Sequence, residues 1–185
     1  MDLQVSLKKI LKKGTLTDEL DFQRASMMDR KLRLLIKEFP DLAEDRKQLR
    51  ALLKSYEDKH WNDKRVTDEK VQQSEQAGQI AESERIFIEK RKNIIKLKLQ
   101  EAGLKQKDLG AILGHSSATY MSELINGINP FTLNDLVVIH SLLNIELENL
   151  VPTILPKQIQ VRISNTISKM ENPKLKSKAE SLLFA

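Results

Sequence analysis

The sequence contains no cysteine, which excludes a disulfide framework, a thiolate metal site and a cysteine nucleophile. A chain without disulfides is at home in a reducing compartment, so we expect it in the cytoplasm. Aromatic residues make up only 4% of the 185 residues, and glycine and proline occur only 6 and 5 times. Leucine, isoleucine and lysine are abundant instead, and this balance predicts an all-α fold.

Long apolar runs are also missing from the sequence. No uninterrupted apolar segment approaches the roughly 20 residues that a membrane-spanning helix needs. The first residues, MDLQVSLKKILKKG, are amphipathic and carry four lysines among the apolar side chains, a pattern unlike that of a signal peptide. We therefore expect no membrane partner.

The motifs of the common enzyme classes are absent as well. His60, His115 and His140 are scattered and lack metal-ligand spacing. There is no P-loop, and no serine lies in a G-x-S-x-G elbow. We predict that the protein is not an enzyme and that it binds no cofactor or metal.

Positive charge is concentrated in two parts of the chain. The net charge is +5, yet residues 1–90 are almost neutral, and residues 157–185 carry 6 basic side chains against 2 acidic ones. Clustered positive charge fits a surface that binds phosphates, and it equally fits an ordinary solvated helix face. One cluster is this C-terminal segment. The other lies before Asp108 and consists of Arg91, Lys92, Lys96, Lys98, Lys105 and Lys107.

Apolar spacing divides the chain into four predicted segments. Spacings of three and four predict two helices in residues 1–61, joined as a hairpin at Pro40. Residues 62–85 are polar and predict a connector, which would be a polar helix, a flexible linker, or a helix broken near Gly78. Residues 86–152 predict a compact domain of five short helices, and residues 153–185 predict one further helix and a basic tail.

The segment LKQKDLGAILGHSSATYMSELINGINPFTLNDL within the third region predicts two very short consecutive helices, Lys105–Leu113 and Ser117–Ile125. Two short helices with a tight turn between them form a helix-turn-helix, although an ordinary helical hairpin has the same apolar pattern. The second helix begins with the small residues of SSATY, and a slim end of this kind can reach base edges in the major groove of DNA.

Residues 86–151 resemble the lambda-repressor-like, Cro-type helix-turn-helix domain of the XRE family. The resemblance lies in LKQKDLGAILG, YMSELINGINP and TLNDLVVIHSLLNIELENL. It implies a phosphate contact by Gln106, a helix cap at Ser117, and base contacts by Ala118, Thr119 and Glu123. With their neighbours, the residues expected at the DNA are Lys105, Gln106, Lys107, His115, Ser116, Ser117, Ala118, Thr119, Tyr120, Glu123 and Asn126.

The sequence departs from the family pattern at two places. The turn GHSS is one residue longer than usual, so His115 or Ser116 can take part in the contact. Glu123 is acidic where glutamine or arginine is common, and it would either accept a hydrogen bond from cytosine or pair inside the protein. Tyr120 has two readings as well, a sugar-phosphate contact or a lid on the core.

The order of the segments is similar to that of the longer HigA-type antitoxins. This resemblance implies a homodimer that binds a palindromic operator in double-stranded DNA, represses its own operon and neutralises a small basic toxin of the RelE-like mRNA endonuclease class. The alternatives are a stand-alone transcriptional regulator and a protein-interaction module that no longer binds DNA. The residues expected to bind the toxin are Phe22, Met28, Leu32, Leu35, Leu49, Leu53, Tyr56 and Trp61.

Overall fold

The computed structural model describes residues 6–61, 66–152 and 157–170, together with Leu175. These residues form helices, turns and loops with no strand among them, so the predicted all-α fold is confirmed. None of the described helices is long and apolar enough to span a bilayer. The helices are α1 (Leu7–Lys13), α2 (Glu19–Leu35), α3 (Leu42–His60), α4 (Asp68–Glu101), α5 (Gln106–Ile112), α6 (Ala118–Asn126), α7 (Leu133–Leu143), a 3-10 turn (Leu147–Asn149) and α8 (Lys157–Ser168).

The predicted hairpin is formed by α2 and α3. The N-cap of α2 is Asp18, whose carboxylate accepts a hydrogen bond of 2.9 Å from the backbone N–H of Asp21. The preceding residue, Thr17, donates its hydroxyl to the carboxylate of Asp21 at 2.6 Å. Farther along the hairpin, Arg46 of α3 pairs with Asp29 of α2 at 2.8 Å.

The structure differs from the prediction of a connector between two domains. Residues 66–85 are the described part of the predicted connector, and from Asp68 onwards they belong to α4. This single helix of 34 residues passes through Gly78 without a break and continues into the third predicted segment. Of the three forms that we considered for the connector, only the polar helix agrees with this, and its length exceeds the predicted boundary at residue 86.

The first half of α4 packs on α2, which explains why it is helical despite its polar sequence. Ala77 and Ala81 are buried, and their small side chains allow the two helices to approach closely. Arg24 of α2 forms a two-pronged ion pair with Glu84 of α4, in which Nε lies 2.8 Å from Oε2. Tertiary packing of this kind stabilises a helix more than its intrinsic propensity does.

Two clusters of buried side chains hold the helices together. The N-terminal core consists of Leu7, Ile10, Leu16, Ala25, Met28, Leu32, Leu42, Leu49, Tyr56 and Ile128. The C-terminal core consists of Ile95, Leu99, Leu109, Met121, Leu124, Ile125, Phe131, Ile139, Leu143, Ile145 and Leu150. Ile128 follows α6 in the chain but packs among the N-terminal helices, and Asp2–Val151 accordingly form one compact unit.

The chain from Pro152 onwards belongs to a second unit. Within it, α8 is the further helix that the sequence predicted. It carries Ile159, Ile163 and Ile167 at intervals of four residues, which places them on one face of the helix.

Candidate nucleic-acid interface

The helices α5 and α6 approach each other closely at Gly110. A Cβ atom at this position would lie 3.0 Å from the carbonyl oxygen of His115 and 3.5 Å from Cγ of Met121. The backbone N–H of His115 donates to the Gly110 carbonyl at 2.8 Å, which ties the start of the turn back to α5. The glycine therefore permits the tight junction that a helix-turn-helix requires.

The inner faces of the two helices are apolar, as the sequence predicted. Leu109 of α5 and Leu124 of α6 are fully buried, and Met121 and Ile125 are almost so. All four belong to the C-terminal core, which also contains the end of α4 and part of α7. The junction of α5 and α6 is thus part of the C-terminal core, which supports the N-terminus of α6.

Small side chains are exposed at the beginning of α6. Ser117 is the N-cap, and its hydroxyl accepts a hydrogen bond of 3.1 Å from the backbone N–H of Tyr120, so the predicted cap is confirmed. Ser116, Ser117 and Ala118 are exposed, and Thr119 is half-buried. At the other end, Gly127 adopts a left-handed conformation with φ of 71° and terminates the helix.

His115 and Tyr120 pack against each other beside this exposed end. Their rings meet edge to face with centroids 5.3 Å apart, and Nε2 of His115 lies 3.1 Å from Oδ1 of Asp135. Burial, followed by the negative charges of Asp135 and Glu123, raises the pKa of Tyr120. Both rings are half-buried, so each can present one edge to a ligand while it packs with the other.

Glu123 faces the interior of the protein. Only 5% of its surface is exposed, and Oε2 accepts a hydrogen bond of 2.6 Å from the side-chain amide of Asn129. Burial raises the pKa of its carboxyl group, although the bond from Asn129 and the charge of Lys8 act in the opposite direction. The expectation that Glu123 reads a base is therefore corrected, since its internal partner occupies it.

The N-terminal segment of the chain covers this part of α6, a feature that the sequence analysis did not anticipate. The Ser6 hydroxyl donates to the side-chain carbonyl of Asn129, and the backbone N–H of Leu7 donates to the Ile128 carbonyl at 3.0 Å. Ser122 is buried along with Glu123. The amphipathic pattern at the start of the chain gave no indication of a contact with the end of α6.

Asn126, expected near a phosphate, is half-buried at the end of α6. Its side-chain amide donates to the Ser122 carbonyl at 2.9 Å, and its own carbonyl accepts a bond of 2.8 Å from Nζ of Lys31 in α2. An ammonium group at a helix C-terminus complements the helix dipole. Burial lowers the pKa of Lys31 to about 8. This end of α6 therefore serves as a contact between helices.

The residues expected to bind phosphates lie at the start of α5. Lys105 and Lys107 are exposed, whereas Gln106 between them is half-buried. The backbone N–H of Lys105 donates to the carboxylate of Asp108 at 2.8 Å, which fixes the first turn of the helix. The two ammonium groups are thus carried on a short, capped helix next to the turn.

The basic cluster before Asp108 is smaller in the structure than in the sequence. Arg91 is buried, and its guanidinium lies 5.7 Å from the ring centroid of Phe87 and 5.3 Å from that of Phe131. Lys92 and Lys98 pair with glutamates on the same helix at 3.1 and 2.7 Å. Lys96, Lys105 and Lys107 are the exposed members of the cluster that form no described ion pair.

The residues expected to bind a toxin are mostly interior residues. Met28, Leu32, Leu49 and Tyr56 are buried in the N-terminal core, while Phe22, Leu35, Leu53 and Trp61 are half-buried and pack against it. The structure corrects the expectation that the whole set forms a toxin-binding face, because these side chains make up the N-terminal core or pack against it.

Two of these aromatic residues also line a surface cleft. Phe22 and Trp61 form its wall with Glu19, Glu57, Asp58 and Ser74. The carboxylate of Glu19 accepts hydrogen bonds from Ser74 at 2.8 Å and from Tyr56 and Trp61 at 3.3 Å. The cleft combines aromatic surface with negative charge.

Within the described ranges, no three histidine, aspartate or glutamate side chains come together as a metal site. No protein-family model, curated protein or solved structure matches this chain. The structure of the helices α5 to α7 and their surface chemistry are therefore the basis for a functional proposal.

Proposed function

We propose that this protein binds double-stranded DNA sequence-specifically through α6 and regulates transcription. The observation that carries the proposal is the exposed end of α6, where Ser116, Ser117 and Ala118 project next to a tight junction with α5. A helix that enters the major groove with its N-terminus needs small polar side chains at that end and a rigid support behind it. Both requirements are met here.

The exposed lysines supply the electrostatic part of the interaction. Lys105 and Lys107 lie at the N-terminus of α5, a position from which helix-turn-helix proteins reach the DNA backbone. Phosphate contacts of this kind fix the orientation of a protein on DNA without selecting a sequence. Base preference would then come from Ser116 to Thr119, since Glu123 and Ser122 are buried.

The test is a selection of duplexes from a random DNA pool with the full chain, followed by binding measurements at several salt concentrations. We expect an enriched sequence, and an affinity that falls steeply with salt, because each neutralised phosphate contributes about −0.9 to the slope of log K against log salt. A palindrome with half-sites about 34–36 Å apart would indicate the proposed homodimer.

Three variants assign the roles of the residues. Replacement of Lys105 and Lys107 by alanine should weaken binding to all duplexes and reduce the salt slope by about 2. Thr119→Ala should change base preference at particular positions. Lys54→Ala combined with Lys59→Ala is the control for the loss of two exposed lysines, here on α3. Binding that is absent, or insensitive to salt, would refute the proposal and favour a protein-interaction module.

Neutralisation of a toxin is the second candidate function, and the acidic cleft favours it. A small basic protein would complement Glu57 and Asp58, and an aromatic side chain such as Trp61 is a frequent anchor at protein interfaces. In this case the protein acts in the cytoplasm as an antitoxin that represses its own operon. A stand-alone regulator would need no such partner.

Capture of partners from the native host distinguishes these two possibilities. The tagged chain should retain a stoichiometric, basic protein, and Glu57→Lys with Asp58→Lys should release it. Lys54→Glu with Lys59→Glu is a control that changes charge on the same helix. Recovery of the chain alone would show that the toxin proposal is wrong, while leaving DNA binding intact.

A further inference from the structure

The helix α1 lies beside the end of α6 that is proposed to read DNA. Nζ of Lys8 is 5.1 Å from the ring centroid of Tyr120. Lys8 also lines an open groove whose other walls include Ser116, Ser117, Thr119 and the largely buried Glu123. A residue from the start of the chain thus borders the same surface as the predicted base-reading residues.

The position of α1 is fixed by buried contacts. Leu7 and Ile10 belong to the N-terminal core, and Leu7 is also tied to Ile128 through its backbone N–H. Ser6, the N-cap residue of α1, forms a side-chain hydrogen bond with Asn129. Asn129 in turn forms a side-chain hydrogen bond with Glu123 of α6. Since the apolar face of α1 is buried in this way, its lysines are carried on a rigid support.

The lysines of α1 differ in their surroundings. Lys13 donates to Thr17 at 2.9 Å and lies 3.5 Å from the carboxylate of Asp21, so its charge is engaged within the chain. Lys8 and Lys12 are exposed and four residues apart, which places them on one face of the helix. Neither forms an ion pair with another residue in the ranges that the structure describes.

The negative groups near Lys8 leave its charge available to a ligand. Glu123 is the acidic residue of α6 that interacts with Lys8, and its carboxylate is buried and bonded to Asn129. Asp45 of α3 also interacts with Glu123, and it is half-buried. Tyr120 presents its ring to the ammonium group. The outer side of Lys8 therefore faces the groove next to α6.

We propose that α1 is a second phosphate-binding element of this interface, in which Lys8 and Lys12 contact the DNA backbone beside the bases read by α6. The inference rests on the proposed function. The major groove is only about 12 Å wide, so a helix end inserted into it has phosphates close on either side. Lys8 occupies such a flanking position, and Lys12 follows about 6 Å along the same helix face.

The experiment measures DNA binding by the full chain with Lys8→Ala and Lys12→Ala combined, on the selected duplex and on a scrambled one. We expect a loss of affinity of about tenfold or more on both duplexes, and a salt slope reduced by about 2 because two phosphate contacts are lost. The order of preference among mutated duplexes should not change. Replacement of both lysines by arginine should restore the affinity and the slope.

The matched control is the combination of Lys54→Ala and Lys59→Ala, which removes the same charge from exposed sites on α3. Neither of these residues lines the groove that contains Lys8. Unchanged affinity and slope in the control, with losses in the α1 variant, would support the inference. Equal behaviour of the α1 variant and the wild type on DNA would overturn it while leaving the proposed function intact. A wild-type chain that binds no DNA would overturn both.

Discussion

Ser6 and Asn129 form a hydrogen bond through their side chains although 123 positions separate them in the sequence. The side-chain amide of Asn129 in turn donates a hydrogen bond to the carboxylate of Glu123 in α6. The start of the first helix is therefore attached to the loop that follows the proposed recognition helix. Because all three side chains are buried, the network makes the N-terminal helices and α6 parts of the same folded unit.

Removal of a partner from this network should be costly. We expect Ser6→Ala and Asn129→Ala each to lower the free energy of unfolding by about 1–3 kcal/mol, because a buried polar group then loses its hydrogen bond. The double variant should lose less than the sum of the two, and urea denaturation measures all three values. Ser141→Ala is the control, since Ser141 is exposed on α7. Strict additivity would contradict a direct interaction.

A cavity in the C-terminal core should destabilise the N-terminal helices as well. Met121→Ala should cost about 2–5 kcal/mol, and Trp61, the only tryptophan, reports on the N-terminal core at a distance from the substitution. If Asp2–Val151 unfold as one unit, tryptophan fluorescence and helical circular dichroism will shift together to lower urea concentration.

The control for this prediction is Ile112→Ala on α5, where the side chain is 48% exposed and its loss should change stability by less than about 0.5 kcal/mol. A tryptophan transition that stays in place while the dichroism shifts in Met121→Ala would instead show two independent domains, as the sequence had suggested.

The two glycines inside helices should respond oppositely to substitution by alanine. Gly78 lies within α4 with nothing within 4 Å of an added Cβ, so Gly78→Ala should stabilise the protein by about 0.5–1 kcal/mol. At Gly110 the Cβ would meet the His115 carbonyl at 3.0 Å, so Gly110→Ala should destabilise by about 1–3 kcal/mol. Thermal denaturation of the two variants and the wild type measures both changes in stability. An equal gain from both changes would argue against a close junction of α5 and α6.

Local signals in the sequence were sufficient for many helix ends. Ser117 was expected as a cap from the family resemblance, and its hydroxyl accepts the backbone N–H bond that defines a cap. Thr132 caps α7 in the same way. Gly127 ends α6 in the left-handed conformation that favours glycine there. These features depend on residues only a few positions apart.

Features that depend on distant contacts escaped the sequence analysis. The polar composition of residues 68–85 gave no indication that Ala77, Ala81 and Glu84 would pack on α2. Glu123 could read a base or pair internally, and its burial depends on Ser6 and Asn129, whose partners lie far away in the chain. The apolar face of the hairpin was assigned to a toxin, whereas in the structure its residues belong to the N-terminal core or pack against it.

Glu123 should make stability depend on pH. Since burial raises the pKa of this carboxyl group above 4.5, the folded protein holds the proton more tightly than the unfolded chain does. This carboxyl group therefore stabilises the folded protein at low pH, and the stabilisation is lost as pH rises through the pKa of the folded state. Glu123→Gln should remove this loss, as seen in urea midpoints measured from acid to neutral pH.

Glu82 provides a contrast of opposite sign. A hydrogen bond from Arg85 lowers its pKa, so its contribution is lost as pH falls, and Glu82→Gln should flatten the acid side of the profile. If Glu123→Gln left the wild-type profile unchanged, the burial of a carboxylate in α6 would be refuted.

Asp135 should matter more than its counterpart Asp108, although both accept a backbone N–H at the start of a helix at 2.8 Å. Asp108 is half-buried on α5, so Asp108→Ala should cost about 1 kcal/mol, as the loss of a cap usually does. Asp135 is buried and its carboxylate also lies 3.1 Å from Nε2 of His115, so Asp135→Ala should cost about 1–3 kcal/mol.

The Asp135→Ala variant should also displace the imidazole signals of His115 in NMR spectra, whereas Asp108→Ala should leave them in place. Because His115 lies in the turn before α6, Asp135→Ala should alter the base preference of the protein, whereas Asp108→Ala should not. Equal costs and unmoved imidazole signals would mean that Asp135 is merely a helix cap.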